Sequence, residues 1–341
     1  MTTASLSLEI ERFDLPLRRP FRISGYVFEV TPVVVVTARR GPHSGRGEAA
    51  GVYYLKDTPD AAAATLREFV RAMPRDLTRE SLQTLLPPGA ARNALDCALW
   101  ELEARERGLG VWALAGLPRP RPLLTTITLG ADLPAVMAEG ARAYDFAKAL
   151  KLKLTGETAV DAERVRAVRA ARPDVWLGVD GNQGFDPATL APLLPVLLEC
   201  GVQILEQPFR RGSESEHDGL KLPLPVAADE SCQHLGEMDS LVGRFDIVNI
   251  KLDKCGGLTE GLAMARRAQE LGLKVMVGNM TGTSLSVGPA FVLGQLCDIV
   301  DLDGPLFLAD DPPPAVTYRD GSVDCPPAVW GGPATEPASG P

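Results

Sequence analysis

The chain has 341 residues, a hydrophobic content of 45%, a charged content of 23% and a formal net charge of −9. These values are typical of a globular protein with one α/β domain and a smaller second domain. The acidic balance argues against nucleic acid as a partner. The longest apolar run, around residues 30–38, is too short to cross a bilayer, and no signal peptide or membrane contact is expected.

The cysteines and histidines narrow the chemistry further. The six cysteines are scattered and form no CxxC pair, which is typical of free thiols in a reducing compartment, so a cytoplasmic location is predicted. Three histidines are too few for a His-rich zinc or iron site. Acid–base chemistry must therefore depend on carboxylates, lysines or tyrosines.

The first 120 residues have the pattern of strands followed by helices. This part is predicted to contain strands over 6–13 and 30–38, a turn over 39–45, a return strand from Gly47, and helices over 60–73 and 89–107.

From about residue 122, short apolar strands alternate with helical stretches. The predicted strands are 125–129, 149–154, 175–179, 203–206, 226–228, 247–252, 274–277 and 299–302. The predicted helices are 133–148, 159–171, 187–200, 259–271 and 284–295. Eight strands in about 180 residues favour a closed parallel barrel over an open sheet. The Pro- and Gly-rich tail from residue 311 is predicted to hold one hairpin over 316–323.

Charged side chains stand at the ends of six predicted barrel strands, where the active site of a parallel barrel lies. They are Lys151 and Lys153 on strand two, Asp180 on strand three, Glu206 on strand four, Asp229 on strand five, Lys251 on strand six, and Asp301 and Asp303 on strand eight. Surface loop charges or internal salt bridges could explain any one of them, but a succession of six favours a common site.

Carboxylates and lysines at one end of a barrel are compatible if a cation lies between the carboxylates. Because alternate strand residues share a face, Lys151 and Lys153 both point into the barrel. Three carboxylates on adjacent strands would repel one another without a cation, and all-oxygen ligands favour Mg²⁺ or Mn²⁺. Such a metal stabilises the enediolate formed when a proton leaves the carbon beside a carboxylate. Lysines on strands two and six lie on opposite faces of that carbon, which favours a racemase or epimerase.

With these residues in view, the chain resembles the enolase superfamily, muconate-lactonizing enzyme subgroup, and within it the dipeptide epimerases. The motifs K-x-K, D-x-N, E-Q-P and D-E-S and the strand-six lysine carry the resemblance. It implies an α/β fold with a modified TIM barrel, (β/α)₇β, over 121–305. It also implies an N-terminal α+β capping domain over 1–120, completed by the C-terminal segment 306–341.

The resemblance also implies the roles of single residues. Asp180, Glu206 and Asp229 would hold one Mg²⁺ per subunit, and Lys153 and Lys251 would be the acid–base pair. Lys151 would contact the substrate carboxylate, Asp301 and Asp303 would bind the free ammonium, and Thr126, Asn279 and Thr281 would line the cavity. The expected reaction inverts the α-carbon of the C-terminal residue of an L,L-dipeptide by a two-lysine 1,1-proton transfer. The expected partner is this small-molecule substrate, and the family's tendency to oligomerise allows a homo-oligomer.

The preferred dipeptide is not determined by these motifs. Ala-Glu epimerases usually carry an Arg in a mobile loop of the cap, where this chain has residues 21–28 with Gly25 or Tyr26 near that position. Arg22 or Lys56 could reach a substrate γ-carboxylate, whereas the aromatic character of the loop suggests a more apolar side chain.

Three other activities stay open within the same subgroup: N-acylamino acid racemisation, o-succinylbenzoate synthesis and cycloisomerisation. A Schiff-base aldolase using Lys151 or Lys153 is a further alternative, but it would not need the three carboxylates. A barrel kept only for binding is disfavoured because every expected acid, base and ligand is present.

Overall fold

The computed structural model describes residues 5–23 and 25–333. Ser24 of the predicted cap loop and residues 334–341 of the predicted C-terminal segment lie outside the described residues. The predicted fold class is confirmed: an antiparallel capping domain precedes a nearly closed barrel of eight parallel strands. Within the described part of the chain, no helix combines the length and apolarity needed to span a membrane.

The cap begins with a three-stranded antiparallel sheet of β1 (Ser7–Ile23), β2 (Tyr26–Arg40) and β3 (His43–Ala49), in that order. The predicted turn over 39–45 was too long, because the chain reverses in two residues and β3 already starts at His43. Gly41 makes this tight turn possible with a φ of 57°, a conformation that favours glycine.

The cap segment over residues 21–28 is a hairpin end in the structure. This segment forms the end of the β1–β2 hairpin, in which Phe21 pairs with Phe28 and Ile23 pairs with Tyr26. The prediction ended the first strand at residue 13, before the prolines of β1. Because β1 is an edge strand, a proline can lie in it with the position of its missing N–H group facing away from the sheet. The strand pairing shifts between Pro16 and Phe21 to accommodate them.

Helices of the cap pack on this sheet and on the barrel. They are α1 (Pro59–Ala72), α2 (Arg79–Leu85), α3 (Ala90–Arg107) and α4 (Val111–Leu114). α3 lies so close to β3 that a Cβ added to Gly47 would be 2.1 Å from the Ala94 carbonyl oxygen. Toward the barrel, Asp96 accepts hydrogen bonds from the Thr259 amide at 2.9 Å and its hydroxyl at 2.6 Å. α3 therefore joins cap and barrel.

The barrel strands pair in chain order, each parallel to the next. They are β5 (Thr126–Leu129), β6 (Ala149–Lys153), β7 (Trp176–Asp180), β8 (Ile204–Glu206), β9 (Val226–Ala228), β10 (Ile247–Lys251), β11 (Lys274–Gly278) and β12 (Ile299–Asp301), and the short β4 (Leu123–Leu124) precedes them. The amide of Leu302 donates to the Thr125 hydroxyl at 2.9 Å, which brings the last strand beside the first.

Helices connect most barrel strands. They are α5 (Pro134–Ala143), α6 (Thr158–Ala171), α7 (Pro187–Leu190), α8 (Leu194–Glu199), α9 (Leu252–Cys255), α10 (Leu258–Glu270) and α11 (Ser284–Gly294). The predicted helix over 187–200 is two helices, because Pro195 stands in the first turn of the second and a proline fits there better than in a helix interior. The connections after β8 and β9 contain the 3₁₀ helices Glu214–His217 and Leu235–Leu241.

The C-terminal segment returns toward the cap. Its hairpin consists of β13 (Thr317–Arg319) and β14 (Ser322–Asp324), and β14 pairs with β4, the short strand that precedes the first barrel strand. The Ala309 amide donates to the carbonyl of Pro16 at 2.8 Å, and the Trp330 indole donates to the carbonyl of Arg46 at 2.8 Å. These contacts join residues after the barrel to the cap, while the limits at 120 and 305 stay a prediction.

Candidate active site

Three carboxylates meet at the C-terminal end of the barrel. Asp180 and Glu206 end β7 and β8 and are register partners, and Asp229 directly follows β9. One oxygen from each lies within 4.8 Å of the others, and all three side chains are buried. We call these residues the carboxylate cluster.

The carboxylate cluster is suited to a divalent cation. Burial and the charge of Asp180 raise the pKa of Glu206, which shows the cost of holding these anions together. Hard oxygen donors at this spacing are the ligand type that Mg²⁺ takes. Hydrogen bonds from other side chains orient the cluster, since the Asn249 amide donates to Glu206 Oε1 at 2.7 Å.

Lys153 and Lys251, the lysine pair, lie on opposite sides of the barrel mouth. They end β6 and β10, which are four strands apart in a ring of eight. Lys153 Nζ donates to Asp180 Oδ2 at 2.6 Å, and Lys251 Nζ donates to Asp229 Oδ2 at 2.6 Å. Each ammonium therefore contacts one member of the carboxylate cluster.

Electrostatics keep Lys251 charged when no cation is bound. Burial favours its neutral amine, but the attraction of Asp229 and Glu206 outweighs burial and raises the pKa of Lys251 well above its ordinary value. A cation bound by the same carboxylates would weaken this attraction, as a lysine that acts as a base requires.

Lys151 is a buried residue that lines the cavity and forms ion pairs with two carboxylates. Its Nζ donates to Glu206 Oε2 at 3.1 Å and to Asp301. Burial alone would lower the pKa of Lys151, but attraction to Asp301 and Glu206 raises it. The side chain predicted to contact the substrate carboxylate therefore lies beside the carboxylate cluster, in contact with Glu206.

The two aspartates at the end of strand eight have different surroundings. Asp301 is engaged by Lys151 and by the hydroxyl of Thr126. Asp303 accepts the backbone amide of Thr128 at 2.6 Å through Oδ2, and the ammonium of Lys151 bonds to Asp301. Burial and the charge of Asp301 raise the pKa of Asp303 to about 7. An ammonium ligand would favour its ionised form, so Asp303 is the better placed of the two for that role.

The cavity-lining residues of strands one and seven follow the prediction in part. Asn279 and Thr281 line the cavity. Strand one contributes Thr128 instead of the predicted Thr126. Alternate residues share a face, but Thr126 lies one layer deeper in the barrel, where its hydroxyl is used by Asp301.

Two charged side chains at the site, Lys254 and Glu230, were not singled out from the sequence. Lys254 in α9 is buried and donates to Asp229 Oδ1 at 2.6 Å and to the Asn249 carbonyl at 2.9 Å. Glu230 lines the cavity, and its Oε2 has no hydrogen-bond partner among the described residues. Burial and the charge of Asp229 raise the pKa of Glu230 to about 8. Their only signal was that Glu230 directly follows Asp229 and that Lys254 lies three residues after Lys251, which gives no direction for either side chain.

The cap covers the site and closes a cavity of about 280 Å³. The aromatic residues of the cap that line this cavity are Phe21, Phe28, Tyr53 and Tyr54. Phe21 also contacts Phe307, with ring centroids 4.8 Å apart. Arg22 and Lys56, which were considered as partners of a γ-carboxylate, are not among the lining residues. Arg22 instead faces Asp132 at 4.0 Å, and the side chain of Lys56 is exposed.

Comparison with known proteins gives the family. The model for the mandelate racemase/muconate lactonizing enzyme N-terminal domain matches residues 8–116, and the enolase C-terminal domain-like model matches residues 135–329. The L-Ala-D/L-Glu epimerase of Escherichia coli is 38% identical over 308 residues, covering 90% of this chain and 96% of that protein. The hydrophobic dipeptide epimerase of Roseobacter litoralis is 32% identical over 334 residues, covering 93% and 95%.

A solved structure adds a bound metal and ligand. It is the dipeptide epimerase of Methylococcus capsulatus in complex with Mg and the dipeptide L-Arg-D-Lys, which is 28% identical to this chain. The match covers 95% of this chain and 97% of that chain, with a TM-score of 0.84. The chain therefore belongs to the mandelate racemase/muconate lactonizing enzyme family of the enolase superfamily, in its group of dipeptide epimerases.

Proposed function

We propose that this protein is a Mg²⁺-dependent dipeptide epimerase, an isomerase that inverts the α-carbon of the C-terminal residue of an L,L-dipeptide. The observation that carries the proposal is the lysine pair on strands four positions apart, with the buried carboxylate cluster between them. Relatives named as epimerases of Ala-Glu and of hydrophobic dipeptides support the substrate class.

The chain's own residues account for inversion. Asp180, Glu206 and Asp229 would hold the metal, and bound Mg²⁺ acidifies the C–H bond beside a substrate carboxylate by withdrawing charge from it. One lysine of the pair takes the α-proton as a neutral amine, and the other, as an ammonium, returns a proton to the opposite face. The product is inverted because the two Nζ atoms lie on opposite sides of the α-carbon.

Asp303 is proposed to bind the free ammonium of the dipeptide, assisted by Asp301. This role distinguishes the proposal from N-acylamino acid racemisation, o-succinylbenzoate synthesis and cycloisomerisation, whose substrates bring no ammonium to the site. A homo-oligomer and a cytoplasmic location stay predictions.

The test is deuterium exchange in D₂O. The protein is incubated with Mg²⁺ and a panel of L,L-dipeptides, and mass spectrometry follows the mass gain of the C-terminal residue, while chiral chromatography follows inversion. We expect exchange and inversion together, and their loss with EDTA. N-acylated amino acids serve as the matched comparison, and faster exchange with them than with every free dipeptide would favour the racemase alternative.

A further inference from the structure

We infer that the side chain of the epimerised residue is held by an aromatic wall of the cap, formed by Phe28, Tyr53 and Tyr54, and that the preferred substrate carries an aromatic or large aliphatic side chain there. This inference rests on the proposed function and specifies its substrate.

The direction of the side chain follows from the layout of the site. When the proton leaves, the α-carbon is planar, and the lysine pair occupies its two faces. Its three remaining substituents lie in the plane between the lysines. In the proposed complex, the substrate carboxylate would lie at the metal held by the carboxylate cluster, and the amide nitrogen would lead toward Asp303, which lines the cavity just after strand eight. The third substituent, the side chain, is left to face the cap.

The cap presents a continuous set of rings in that direction. Phe28 and Tyr53 meet with centroids 5.3 Å apart and an interplanar angle of 64°, and Tyr53 and Tyr54 meet at 5.2 Å and 90°. Tyr26 packs against Tyr53 at 4.6 Å from outside. Edge-to-face contacts of this kind are favourable for aromatic pairs, and they hold the wall in place before a ligand arrives.

The wall extends down to the reacting groups. Tyr53 lines the same cavity as Glu230 and Lys251, so its ring and one lysine of the pair border one space. A side chain directed from the α-carbon toward the cap would enter this space.

Charge in the cavity disfavours an acidic side chain. Among the described lining residues, Lys151 and the lysine pair are the only basic ones, and all three already contact carboxylates. The cap side contributes the carboxylates Asp57 and Asp60, and Glu230 of the barrel adds no cation. A substrate γ-carboxylate would lose water without gaining a cation, whereas an apolar side chain would bury its surface against the wall.

The experiment measures kcat/KM of the Mg²⁺-loaded protein for L-Ala-L-Phe, L-Ala-L-Leu, L-Ala-L-Ala and L-Ala-L-Glu by deuterium exchange. We expect the Phe and Leu dipeptides to exceed L-Ala-L-Glu by about tenfold or more, the scale on which an apolar pocket discriminates. Phe28→Ala should lower kcat/KM for L-Ala-L-Phe about tenfold more than for L-Ala-L-Ala, mainly through KM.

Phe13→Ala is the matched control, because Phe13 is on the same hairpin, is 44% exposed and does not line the cavity. It should leave the ratio of the two substrates unchanged. Fastest exchange with L-Ala-L-Glu, or an equal loss for both substrates in Phe28→Ala, would overturn the aromatic wall while the proposed function stands. If no dipeptide exchanges, the proposed function fails and the inference fails with it.

Discussion

Replacing Lys251 by methionine tests the two-lysine mechanism directly. Methionine fills a similar volume but removes the ammonium, so one face of the α-carbon loses its acid or base. Loss of a positioned general acid or base lowers rates by about 10²- to 10⁴-fold, and kcat for epimerisation should fall by at least this much. Lys153→Met should behave in the same way from the opposite face.

The two variants should differ in which epimer they still exchange. Each keeps one lysine, so each should catalyse deuterium exchange of a single epimer without inverting it. In D₂O, one variant should label only the L,L-dipeptide and the other only the L,D-dipeptide. Turnover within about tenfold of the unmodified protein, or labelling of both epimers by a single variant, would refute the assignment.

The structure indicates that Lys251→Met can fold. Breaking a buried ion pair can cost about 3–5 kcal/mol when the remaining charge is left alone. Here Asp229 keeps Lys254 at 2.6 Å from Oδ1, so the loss of stability should be smaller. Lys254→Met is the matched control, because the same carboxylate loses its other cation. That variant should keep labelling both epimers.

Three further predictions concern the substrate, the metal and pH. Asp303→Asn should raise KM for free dipeptides by about tenfold or more without a matching loss of affinity for N-acetylated analogues; an unchanged KM would contradict the ammonium site. Mg²⁺ at about 100 times its Kd should stabilise the fold by about 2.7 kcal/mol, seen as a higher Tm that EDTA reverses; a Tm insensitive to both would count against the carboxylate cluster as the metal site. Burial raises the pKa of Glu48, which accepts the Thr283 amide at 2.7 Å, from 4.5 to about 7. Its contribution to stability is therefore complete below pH 4.5 and is lost as pH rises toward 7, on the order of 3 kcal/mol in all. Urea unfolding across this range should show a flatter profile for Glu48→Gln, and an identical slope would exclude Glu48 as the cause.

Much of the site could be predicted from sequence because chain order in a parallel barrel converts directly into position. Residues at the ends of successive strands meet at one face, so Asp180, Glu206 and Asp229 could be grouped before their distances were known. The spacing of Lys151 and Lys153 likewise placed both inside the barrel. Element type was predicted well for the periodic strands, and boundaries were less accurate where prolines or short turns intervene.

Tertiary structure alone decided the partners of each charged group. Asp301 and Asp303 look equivalent as a D-x-D pair, yet in the structure Lys151 bonds to Asp301, whereas Asp303 accepts the Thr128 amide. Lys254 has no periodic signal that aims it at Asp229. The aromatic wall joins a hairpin residue, Phe28, with two residues 25 and 26 positions later, Tyr53 and Tyr54. Such contacts depend on how the cap docks over the barrel, which local sequence patterns do not encode.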